Sequence, residues 1–164
     1  MGGFVQASPT TLPPSGAAGG ILNGTYPNPT LRTASGQNGA DTPLPISSTT
    51  AVITTGALNP GTYFVIATVL LSYIGATAAL MEAQLAVGTA TATFLGVAAG
   101  ELDMGAIAGG VQQGQITLQA IVTVTVAGTL VVNVKNPNGV TAGTALQNSA
   151  SFPGATGFAF IRVA

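Results

Sequence analysis

From residue 50 onward, apolar positions recur with a period of two or in short unbroken runs, which is the pattern of β-strands rather than helices. Ala51-Val52-Ile53-Thr54-Thr55 reads as a short strand, and Asn59-Pro60-Gly61 as the turn after it. Residues 62–73 predict a long strand, with Phe64, Ile66, Thr68 and Leu70 on one side and Tyr63, Val65, Ala67, Val69 and Leu71 on the other. Both sides are largely apolar, so both are expected to be covered. Residues 80–87 and 89–97 predict a hairpin about Gly88. Residues 115–126 alternate most cleanly, with Ile116, Leu118, Ala120, Val122, Val124 and Val126 set against a polar side beginning Gln115, Thr117 and Gln119. That is a half-exposed strand. Ala127-Gly128 turns the chain into a strand over 129–134, and Asn136-Pro137-Asn138-Gly139 makes a further turn. Two last strands are expected over 144–151 and 157–163, split by Pro153-Gly154. Residues 100–114 alone lack a strand pattern and read as a loop, or as a short helical turn about Glu101-Leu102-Asp103-Met104. Eight to ten short strands without a helix predict an all-β sandwich or jelly roll.

Residues 1–50 differ in kind. They hold seven of the ten prolines (Pro9, Pro13, Pro14, Pro27, Pro29, Pro43 and Pro45) among Gly, Ser, Thr and Asn. Proline blocks helix interiors and central strands and pushes the residue before it toward extended backbone. The expected organisation is therefore an extended Pro/Gly-rich arm over 1–50 and a β domain over 51–164; plain disorder of the arm would equally fit its polarity. Residues 63–81 run nineteen positions without a charge, long enough to span a bilayer as a helix. They follow a Pro-Gly turn, are rich in β-branched and aromatic residues, and lack flanking Lys or Arg. Two strands with a turn near Gly75 account for them better.

Composition then narrows the function. Of 164 residues, 47% are hydrophobic and 4% charged, where a soluble domain carries about 25% charged. A lone monomer so poor in charge has little protection against association. The expected surface is one largely buried against copies of itself or a larger assembly. Arg32, Lys135 and Arg162 are scattered, so there is no basic patch for nucleic acid or for a membrane surface. Cys is absent, which removes disulfides and thiolate metal sites. Met1-Gly2-Gly3-Phe4-Val5 lacks the charged and apolar segments of a secretory signal, so synthesis in a cytoplasm without a signal peptide is expected.

Acid–base catalysis needs tunable groups held close together. With neither His nor Cys, the candidates are Asp41, Glu82, Glu101, Asp103, Lys135 and three tyrosines. Glu101 and Asp103 could help hold a hard cation from a loop, but such an ion needs about six oxygens. A carboxylate pair of glycosidase type drawn from Glu82, Glu101 or Asp103 lacks an aromatic cleft to accompany it. Ser and Thr are abundant but have no base to activate them, and no phosphate loop is present. The expectation is a non-enzyme with no catalytic residues, no cofactor and no resident metal.

Two segments resemble known families. Gly19-Gly20-Ile21-Leu22-Asn23-Gly24-Thr25-Tyr26-Pro27-Asn28-Pro29-Thr30-Leu31 resembles a segment that recurs in bacteriophage fibre and other virion surface proteins. In it Asn23-Gly24 suits a tight turn, Pro27 and Pro29 impose an extended course, and Tyr26 is a large anchor with a polar tip. Gly61-Thr62-Tyr63-Phe64-Val65-Ile66-Ala67 and Thr156-Gly157-Phe158-Ala159-Phe160-Ile161-Arg162-Val163-Ala164 look like the third and closing strands of C1q/TNF-like jelly rolls.

The second resemblance implies a compact homotrimer whose closing strand lies near the three-fold axis. Phe158, Phe160 and Arg162 share one face of that strand and are the candidate axis residues, with Ala159, Ile161 and Val163 opposite. The first implies an arm that docks on the virion or between subunits through Leu22, Asn23, Gly24, Thr25, Tyr26, Pro27, Asn28, Pro29 and Leu31. Together they imply a virion protein, either a capsid decoration, cement or head-fibre protein partnered with the major capsid protein or another virion protein, or a tail-fibre adhesin. The adhesin would recognise a host-surface glycan through loops 100–114 and 136–143. The shortness of the chain, with no long shaft in view, favours the head.

Overall fold

In a computed structural model the chain is described at residues 17, 22–23, 30–31, 33–37, 39–75, 77–137, 143–145 and 156–164. It divides into two compact units, Met1–Arg32 and Thr33–Ala164. In the first, β1 (Leu22–Asn23) pairs antiparallel with β2 (Thr30–Leu31), Leu22 opposite Leu31 and Asn23 opposite Thr30.

The second unit opens with β3 (Thr33–Gln37) and β4 (Thr42–Leu44), so residues 33–44 belong with the β domain. The compositional change near residue 50 predicts a boundary there, but the chain divides after Arg32. Pro43 explains how a proline-rich stretch can still be strand: β4 pairs with one neighbour only, so a missing donor on its open side costs the ladder nothing.

Nine more strands follow: β5 (Thr49–Thr54), β6 (Gly61–Gly75), β7 (Ala79–Val87), β8 (Thr91–Val97), β9 (Ala99–Met104), β10 (Ile107–Val126), β11 (Leu130–Lys135), β12 (Gly143–Ala145) and β13 (Gly157–Arg162). The larger sheet has the order β3-β13-β6-β10-β8, with β12 on the far part of β6 and β4 beyond it. The smaller sheet has the order β5-β11-β7-β9. Every pairing between strands is antiparallel, and the described residues contain no helix.

One hydrophobic core lies between the sheets. The larger sheet supplies Tyr63, Val65, Ala67, Val69, Leu71 and Tyr73 from β6 and Ile116, Leu118, Ala120, Val122 and Val124 from β10. The smaller sheet supplies Met81, Ala83 and Leu85 from β7 and Leu130, Val132 and Val134 from β11. Residues 63–81 are thus β6, a turn and the start of β7, and no described helix is long and apolar enough to cross a membrane.

Three expectations are corrected. Strands β7 and β8 are not a hairpin: β7 pairs with β11 and β9, whereas β8 pairs with β10 in the other sheet. Residues 88–90 instead cross between sheets beside the opposite crossing at 127–129. Thr89 and Thr129 stitch the two together, each Oγ1 accepting the other's backbone N–H at 3.1 and 3.0 Å. Residues 100–114 are neither loop nor helical turn but most of β9 and the start of β10. Strand β6 is covered on one face only, since Phe64 is half-buried and Ile66 and Ile74 are exposed.

Candidate functional site

With no assembled catalytic group, the functional features of the β domain are its two outer faces, which differ sharply in chemistry. On the larger sheet the register aligns Ile161 of β13, Phe64 of β6, Ile121 of β10 and Leu95 of β8 in one row across four strands. A second row aligns Ser35, Ala159, Ile66 and Gln119. Leu95 is 72% exposed, Ile121 42%, Ile161 38% and Ile66 36%. The remaining outward positions of β6 and β10 include Thr62, Thr68, Gln115, Thr117, Thr123 and Thr125, and no strand of this sheet presents a charged side chain on that face. Large apolar groups aligned on an uncharged face mark an association surface rather than a solvated one.

This face also has relief. Ser35, Ile66, Thr68, Gly157 and Ala159 line a depression of about 280 Å³ where β13 passes between β3 and β6. It exists because β13 offers only a hydrogen and a methyl group outward at Gly157 and Ala159.

On the smaller sheet the outer face holds Lys135, Glu82, Glu101 and Asp103, four of the chain's seven charges. Thr49, Lys135, Glu82 and Glu101 stand in one cross-strand row. Asn133 and Gln84 form the row beside it. Between the rows runs a groove of about 610 Å³. Glu82 and Glu101 oppose each other directly, which destabilises a sheet unless the environment compensates, and Lys135 on the other side of Glu82 does so in part. Glu101 and Asp103, expected on a loop, therefore sit on a rigid strand. Among the described residues no group of three or more His, Cys, Asp or Glu side chains could hold a metal ion.

The candidate axis residues lie on the inward side of β13. Phe158 is 9% exposed and belongs to the core, its ring covering Gly36 of the neighbouring strand. Phe160 packs against the core, stacked on Phe158 with centroids 5.8 Å apart and edge-on to Tyr63 at 5.7 Å. The Arg162 guanidinium donates to the carbonyls of Pro60 at 2.8 Å and Ala164 at 3.1 Å. Strand periodicity puts the three on one face without saying which face is inside. The register answers that: Phe158 and Phe160 oppose Ala67 and Val65, both buried. The face left for a neighbour is Ala159, Ile161 and Val163.

Of the docking segment, Leu22, Asn23 and Leu31 fall in the β1/β2 pair, while Gly24, Thr25, Tyr26, Pro27, Asn28 and Pro29 lie outside the described residues. Neither outer face was foreseen. The charges of β7, β9 and β11 are 19 to 53 positions apart and meet only through strand pairing. Comparison with protein-family models, with curated proteins and with solved structures found no match.

Proposed function

We propose that this chain is a structural protein of a bacteriophage particle, working as a homotrimer on the virion surface. The observation that carries the reading is the charge-free outer face of the larger sheet, with its row of Ile161, Phe64, Ile121 and Leu95. An apolar face of this kind, in a chain with seven charges, is stabilised by burial against a copy of itself.

A C1q/TNF-like jelly roll is supported by strand order. Counting β3, β5, β6, β7, β9, β10, β11 and β13 as eight, the sheets run first-eighth-third-sixth and second-seventh-fourth-fifth. That is the order of two interlocked Greek keys. The tie to virions rests on the resemblance of residues 19–31. An N-terminal segment that docks on the major capsid protein or another virion protein, carried in three copies by a trimer, gains through effective concentration. The reading is a capsid decoration, cement or head-fibre protein that stabilises the shell by burying area. Catalysis, cofactors, nucleic acid and membranes have no part in it.

The expected mass in solution is that of three 16.0 kDa chains, about 48 kDa, by native mass spectrometry. Mixed with heads stripped of surface proteins, the protein should cosediment at a saturable ratio. A monomer at micromolar concentration, or failure to cosediment, would overturn this reading.

The alternative is a tail-fibre or receptor-binding adhesin, which the polar groove favours. Its volume suits a small ligand, and the carboxylates of Glu82 and Glu101 with the amides of Gln84 and Asn133 could bind the hydroxyls of a host-surface glycan. Adsorption of purified protein to host cells, abolished by Glu82→Gln with Gln84→Ala, would decide for it.

A further inference from the structure

The outer face of the larger sheet carries a projection at one side and a depression at the other. Leu95 projects from β8, a strand paired on one side only, and is 72% exposed. The depression of about 280 Å³ lies across β3, β13 and β6, lined by Ser35, Ile66, Thr68, Gly157 and Ala159. Strands β8 and β13 are separated by β10 and β6, so three strand spacings, about 14 Å, lie between projection and depression. Leu95 cannot reach the depression of its own chain.

We infer that Leu95 of one copy seats in the Gly157–Ala159 depression of the next, and that this contact closes the ring of the trimer. The inference rests on the trimer reading and gives it an atomic contact. A projection and a depression in different places form a head-to-tail contact, in which each copy uses two different patches. Such contacts do not close into a two-fold dimer; they close into a ring or run on as a filament. The chemistry of the two patches agrees: the projection is aliphatic, and the depression is lined by methyl, methylene and hydroxyl groups with no charge. Glycine and alanine at its floor let the neighbouring strand approach, and the edge position of β8 leaves nothing of its own sheet in the way.

The absence of native cysteine makes a clean test available. Leu95→Cys combined with Ala159→Cys in the full chain, mildly oxidised, should give covalent dimers and trimers that revert on reduction. Either single variant should remain uncross-linked. Ala159→Phe, which fills the depression, should weaken association by about tenfold or more while the far-UV circular dichroism stays that of the parent. A native trimer whose double-cysteine variant does not cross-link, and which Ala159→Phe leaves intact, would overturn the Leu95 seat and leave the trimer standing. A monomeric parent would sink both.

Discussion

At residue 70 the edge of β6 has no strand beside it. Strand β12 pairs as far as Leu71 and β13 begins pairing at Thr68, so the main chain of Leu70 falls in the gap between them. Thr156, fully buried, fills that gap with its side chain: Oγ1 accepts the Leu70 N–H at 3.0 Å and donates to the Leu70 carbonyl at 3.4 Å. One hydroxyl thus replaces a strand residue, as only a group both donor and acceptor can. Thr55 does half the same task at the end of β5, its Oγ1 accepting the Leu130 N–H at 2.9 Å. Thr156→Val keeps the shape and leaves a buried N–H without a partner, which costs about 1–3 kcal/mol. Urea denaturation should place Thr156→Val that far below the parent and Thr156→Ser near it; equal midpoints for the two variants would refute the role. Gly61 is a second single-residue constraint, with φ +152° and the Arg162 side chain lying across it, so that an added Cβ would meet Nε at 2.6 Å. Gly61→Ala is expected to lose about 1–3 kcal/mol by the same measurement. The Asn59-Pro60-Gly61 turn was legible in sequence, but the Arg162 contact across 101 positions was not.

At the scale of elements, period two identified the strands well and failed where strands bulge or change sheets. Val126 continues the inward series of β10 in sequence yet is exposed. Between Val124 and Val126 the register against β8 slips, so Thr125 and Val126 together face Thr91 and the alternation reverses. In β5 the same device works in the other direction: Val52 and Ile53 are both buried because the register against β11 shifts there. The consecutive strands β8 and β9 pass from one sheet to the other within two residues. The pivot is Gly96, at φ +117°, with the Ala98 N–H donating to its carbonyl at 3.1 Å. Its sequence neighbourhood looks like one continuous strand, so the corner is invisible without the pairing partners. Gly96→Ala should therefore destabilise by about 1–3 kcal/mol through a backbone conformation that alanine resists. Hydrogen exchange would show the loss centred on β8 and β9, and unchanged protection there would reject the pivot.

Across the whole molecule, the scarcity of charge was evident from composition, but its segregation was not. Four charges gather on the outer face of the smaller sheet and none stands on the outer face of the larger one, because antiparallel pairing assigns residues to faces by register rather than by neighbourhood. The segregation predicts how association responds to solution conditions. An interface built on Ile161, Phe64, Ile121 and Leu95 has no Coulombic attraction to screen, so sodium chloride near 1 M, where the Debye length falls to about 3 Å, should leave the trimer intact. Sulfate, which strengthens apolar burial through its exclusion from protein surface, should tighten it. Introducing a charge at the centre of the row, as Ile121→Lys, places an unpaired ammonium in a desolvated contact and should dissociate the trimer while leaving the core, which lies on the opposite side of β10, undisturbed. Sedimentation velocity across a salt series reads all three. A trimer that falls apart in sodium chloride would mean that the charged face of the smaller sheet holds the copies together, and the uncharged face would then need another occupant.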